Sequence, residues 1–113
     1  MSAETWEAVH AVIEDTIAQV FGVTQADLSI KSRGKAHIAL ARQTGMYLAH
    51  VICGLTLTEV GVLFRRDRTT VAHACAVVED RRDDPVFDRA LDLLEWALPS
   101  LINPERRFAL VIS

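Results

Sequence analysis

Apolar residues return at three- and four-residue intervals along most of this 113-residue chain, which is the period of a helix buried on one side. Trp6, Val9, Ile13, Ile17 and Val20 trace the first stripe, with Glu7, Glu14 and Asp15 off it. A first amphipathic helix is therefore expected, stopping at Gly22, where a residue without a Cβ suits a left-handed turn. TQAD, Thr24 to Asp27, reads as a capping box that opens one short helix. The pattern resumes from about His37 to Cys53, with Leu40, Met46, Tyr47 and Val51 among its apolar residues, and Gly54 ends it. TLTE, Thr56 to Glu59, is a second capping box for a short helix through Phe64, in which Val60, Leu63 and Phe64 are apolar. A tight turn follows, then a helix from about Arg68 to Asp80 with Asp67 as its N-cap and Val71, Cys75 and Val78 as its buried stripe. Asp84 and Pro85 are a cap and a first helical residue for a last helix carrying Phe87, Leu91, Leu94 and Leu98, which Pro99 and Pro104 close. The expected fold class is all-α, a five- to six-helix bundle built around a helix-turn-helix at about 57–80. Residues 1–98 form a single domain and 99–113 a tail whose apolar RFALVIS segment is free to pack on the body or on a partner.

Half the residues are apolar, enough for one small core. No apolar run is long enough to span a bilayer, and the N-terminus lacks the charged and apolar blocks of an export signal. A cytoplasmic, nucleoid-associated location is the expectation. Cys53 and Cys75 sit in helical apolar patterns and read as buried thiols. A zinc site with His50 and His73 fails on spacing, because His73 and Cys75 are two residues apart on one helix and face opposite sides. The basic loop KSRGKAH, residues 31–37, lacks the first glycine of a phosphate loop and has no strand before it. QADLSI faintly resembles a sliding-clamp peptide, but Leu28 and Ile30 read more simply as packing residues. No triad or metal spacing is present, so neither an enzyme nor a cofactor, metal or small-molecule substrate is expected.

Charge changes the picture. The formal net charge is -3, yet residues 1–30 carry -5, residues 31–75 carry +5 and residues 76–113 carry -3. The local charge, not the net one, governs attraction of a polyanion. The positive charge lies in two loops, 31–35 and 65–68, each beside a helix start. Short helix, turn, second helix is the outline of a helix-turn-helix. Its second helix opens on the polar set Arg68, Thr69, Thr70 before turning apolar, the order a major-groove reader needs.

LTEVGVLFRRDRTTVAHA, preceded by KSRGKAHIALARQTGMYLAHVICGL, resembles the C-terminal DNA-binding domain of the bacterial replication initiator DnaA. RDRTTVAHA is its most specific part, and the resemblance runs from about Val20 to Val78. It implies binding, as a monomer, of short asymmetric A·T-rich duplex sites called DnaA boxes. It implies that Asp67, Arg68 and Thr69 read bases in the major groove, that Leu57 and Thr58 touch thymine methyls, and that Arg33 enters the minor groove. Thr70, His73, Arg42 and Gln43 would hold phosphates, joined by Arg65, Arg66 and Lys35. The chain departs from the family at Arg65, where the turn has a glycine, at His50, where a lysine is common, and in AHIALARQ, which replaces a more arginine-rich run. It contains no ATPase domain. The starting methionine, first helix and tail are those expected of a complete small protein.

The first functional reading is thus a sequence-specific binder of DnaA-box-like duplex DNA that regulates replication initiation or nearby transcription. The alternative is a protein-interaction module that binds the initiator or its regulatory proteins with DNA reading weakened or lost. The acidic ends, the apolar tail and the thinned basic loop motivate it. The apolar stripe at residues 6–20 is a further surface through which chains could pair.

Overall fold

The computed structural model describes residues 3–29 and 36–103. Arg33, Lys35 and residues 104–113 of the tail lie outside these. The described residues form six helices: α1 (Ala3–Phe21), α2 (Gln25–Ser29), α3 (Ala36–Val51), α4 (Leu57–Phe64), α5 (Arg68–Arg81) and α6 (Pro85–Ile102). The all-helical expectation holds, as do both capping boxes. Thr24 and Asp27 exchange side-chain and backbone hydrogen bonds at 3.0 and 3.1 Å, and Thr56 and Glu59 do so at 3.1 and 2.9 Å.

Helix α3 is the central element and packs against α1, α2, α4 and α5. Its middle is buried continuously from Thr44 to Ala49, which requires small residues as well as large ones. A Cβ on Gly45 would lie 3.3 Å from the Phe64 ring, so the glycine lets α4 close onto α3. Val9, Ile13 and Ile17 of α1, Val60 of α4, Val71 and Val78 of α5, and Leu91 and Leu98 of α6 complete the core.

Four expectations are corrected. The α1 stripe turns from Ile17 towards Ala18 and Phe21, which leaves Val20 exposed. Val9, Ile13 and Ile17 are buried in the chain's own core, so these residues of the stripe at 6–20 are not available to pair chains. On α5 the fully buried position between Val71 and Val78 is Ala74, while Cys75 is half-buried. Pro99 lies inside α6 and does not close it; the helix runs to Ile102. Proline removes one backbone donor, but burial of Leu94, Leu98 and Ser100 around it outweighs the missing bond.

The end of α5 is fastened to α6 by one side chain. Arg82 donates to Asp88 at 2.7 Å, to Glu95 at 2.7 Å, to Asp92, and to the Tyr47 hydroxyl of α3 at 3.0 Å. Burial alone would lower the Arg82 pKa, but its hydrogen bonds to Glu95, Asp88 and Tyr47 raise it above the usual arginine value. The Tyr47 hydroxyl donates to Glu79 at 2.8 Å. Burial first, and that carboxylate second, push Tyr47 up to about 12.

Candidate nucleic-acid interface

The connection between α4 and α5 is three residues, Arg65 to Asp67. It is built on the carbonyl of Gly61, which accepts from the amides of both Arg65 and Arg66. Arg65 adopts φ 56, ψ 46, a left-handed conformation and the only positive φ of a non-glycine among the described residues. Such a conformation crowds a Cβ, so the sequence departure at this position is also a local strain. The turn fits so closely that a Cβ on Gly61 would lie 2.6 Å from the Arg66 carbonyl oxygen. Gly61 is a positioning residue that the sequence reading passed over. Its signal was a glycine in the middle of an eight-residue helix, where it costs helix stability unless something needs the space.

Asp67 caps α5, its Oδ1 accepting from the Thr70 amide at 2.8 Å. That bond, then those from the Thr70 and Thr69 side chains, holds the carboxyl below its usual range. The cap fixes the first turn of α5 and presents Arg68, Thr69 and Thr70 to solvent. At about 100° per residue, Arg68, Thr69, Ala72, His73 and Ala76 share one face of α5, and all five are exposed. His73 is therefore a surface residue and not a core histidine. Ala72 and Ala76, which the sequence pattern does not single out, add no side chain beyond Cβ to this face.

The positive charge extends sideways from that face. Arg65 is exposed and Arg66 half-buried, its guanidinium donating to the carbonyls of Phe64 at 3.3 Å and Arg65 at 3.1 Å. Arg42, on α3, donates to the carbonyls of Leu28 at 2.9 Å and Asp27 at 3.4 Å. It thereby ties α2 to α3, a structural task that the sequence did not reveal. Burial first and the charge of Arg66 second lower the Arg42 pKa. Gln43 beside Arg42 is half-exposed. At the start of α4, Thr58 is exposed and Leu57 is half-buried against the core.

His50, the departure from lysine, places Nδ1 2.6 Å from the Leu55 carbonyl and closes the loop between α3 and α4. Burial raises the pKa of both Cys53 and Cys75, which makes them weak nucleophiles and weak ligands at neutral pH.

A capped second helix held against a shorter first helix by a three-residue turn, with its polar N-terminal face exposed, defines a helix-turn-helix domain. The chain belongs to the family described as the bacterial dnaA protein helix-turn-helix, whose model matches residues 10–78. It is 41% identical over 88 residues to the chromosomal replication initiator protein DnaA of Herminiimonas arsenicoxydans, covering 76% of this chain and 19% of that protein. It is 34% identical over 86 residues to the same-named protein of Symbiobacterium thermophilum, covering 74% of this chain and 19% of the relative. The solved structure of a replication initiator DnaA bound to AMPPCP and single-stranded DNA is similar with a TM-score of 0.75 at 26% identity, over 87% of this chain and 30% of that one. The chain thus spans less than a fifth of the length of these curated relatives.

Proposed function

We propose that this domain binds double-stranded DNA at DnaA-box-like sites and through them regulates replication initiation or nearby transcription. The observation that carries the reading is the exposed face of α5, where Arg68 and Thr69 stand beyond an Asp67 cap with Arg65 and Arg66 alongside. Arg68 pairs with a guanine edge and the Thr69 methyl meets a thymine methyl. Asp67 spends Oδ1 on its cap, so positioning α5 is its first role and base contact its second. Thr58 and Leu57 approach thymine methyls from α4. Thr70, His73, Arg65, Arg66, Gln43 and the Arg42–Arg66 pair hold phosphates, and the basic loop contributes Lys35 there and Arg33 to the minor groove. Each chain reads one asymmetric site, and no chemical step is involved.

The test is binding of the Arg68→Ala chain to duplexes in which each base pair of the box is changed in turn. The variant should lose about 1–3 kcal/mol and its preference at one base pair only. With about six phosphates neutralised, log affinity of the wild-type chain should fall against log salt with a slope of about -5. Binding that ignores both Arg68 and sequence would remove the direct-readout account.

A further inference from the structure

The inner face of α6 is spent on the core, through Leu91, Leu94 and Leu98. Its outer face is also apolar: Val86 is 81% exposed, Leu93 59% and Trp96 67%. Ala90 is exposed and Ala97 half-exposed on the same side. At 100° per residue, Val86, Ala90, Leu93 and Ala97 fall within about 60° of one another. Their spacing of four, three and four residues is that of a helix-pairing seam. A contiguous apolar strip of this kind on a small domain marks an interface. Neither the DNA-facing surface nor the core uses it.

We propose that the occupant is a second copy of this chain, its α6 lying antiparallel on the first across a two-fold axis between Ala90 and Leu93. The ground is self-complementarity. With the axis there, Val86 of one protomer opposes Ala97 of the partner subunit, and Ala90 opposes Leu93 of the partner subunit. Along the seam each large residue meets a small one, which is the pattern that lets two helices interdigitate. The same axis brings the exposed Arg89 to Trp96 of the partner subunit on one flank, where a guanidinium over an indole face is attractive. A parallel pair would instead set Val86 against its copy and Ala90 against its copy, crowding one layer and emptying the next. The carboxylates of Asp88, Asp92 and Glu95 share Arg82 and lie off the seam, so pairing buries none of them between the two helices.

Because Arg82 fastens α6 to the end of α5, the dimer would carry two copies of the α5 face at a fixed separation and engage two sites on one duplex. That consequence rests on the DNA-binding reading. The dimer itself does not, and its test contains no DNA.

The experiment is sedimentation equilibrium of the full chain across the micromolar range, with helical content followed by circular dichroism. The wild-type chain should associate reversibly to a dimer. Leu93→Glu should weaken the dimer by about tenfold or more with helical content unchanged, since Leu93 faces solvent in the protomer. Ala90→Leu alone and Leu93→Ala alone should each weaken it. The double variant Ala90→Leu/Leu93→Ala should restore it, because the axis places these two positions opposite each other. A chain that stays monomeric throughout overturns the proposal. So does an association that Leu93→Glu leaves unmoved, or single variants that the double variant fails to rescue.

Discussion

Arg65 carries a left-handed conformation that a glycine would adopt without strain. Arg65→Gly should raise stability by about 1 kcal/mol, read as a higher midpoint of urea unfolding. The same change removes one positive side chain beside α5, so stability and DNA affinity should move in opposite directions. A drop in the urea midpoint would contradict the strain argument. Two titrations follow from the hydrogen-bond pattern. Asp67 has its pKa lowered by the Thr70 amide. Its contribution is present above the unfolded value of about 4 and is lost as pH falls through the lower folded value. Asp67→Asn should therefore flatten the acid limb of a stability–pH curve. Tyr47 goes the other way, with a folded value of about 12 against about 10 unfolded. The unfolded chain releases that proton first, so stability should decline between those two values as pH rises. Tyr47→Phe should abolish that decline and cost about 1 kcal/mol at neutral pH.

At the scale of the element, the turn between α4 and α5 depends on one glycine. Gly61→Ala would press a methyl group into the Arg66 carbonyl, 2.6 Å away. It should cost about 1–3 kcal/mol and shift amide resonances of residues 65–68 more than those of α6. Equal stability and unchanged spectra would mean that the turn is looser than its geometry states. Helices were legible in the sequence because their signals are local. Asp67, Thr56 and Asp84 each sit where a free amide needs an acceptor, and each does accept from the first turn that follows it. What is decided by distant partners was not legible. Pro99 forecasts a helix end, but Leu98 and Ser100 are buried on either side of it. Arg42 looks like a phosphate ligand in the sequence, and only the fold shows it bonded to carbonyls of α2. Gly61 shows its purpose only once Arg66 folds back over it.

For the whole molecule, the sign pattern along the chain is only partly a sign pattern in space. The Asp88–Asp92–Glu95 group on α6 is held by Arg82, whereas Glu7 and Glu14 of α1 line the same groove as Arg65 and Arg66 of the α4–α5 turn, and Arg68 opens α5 on an exposed face. An overall negative charge is therefore compatible with local attraction of a polyanion at the start of α5, where Arg68 is exposed. The candidate site was legible as a set of residue types next to a capped helix start. Its geometry was not, because the carbonyl bonds of Arg42 to α2 and of Arg66 within its own turn arise only once the helices have packed. The most direct test is equilibrium binding to a labelled duplex carrying one DnaA-box consensus, set against a scrambled duplex, at about 150 mM salt, where non-specific attraction is damped. A clear preference for the box, lost with Arg68→Ala, is the result this account predicts. Equal, weak binding to both duplexes would contradict it and move the function of the domain to protein partners.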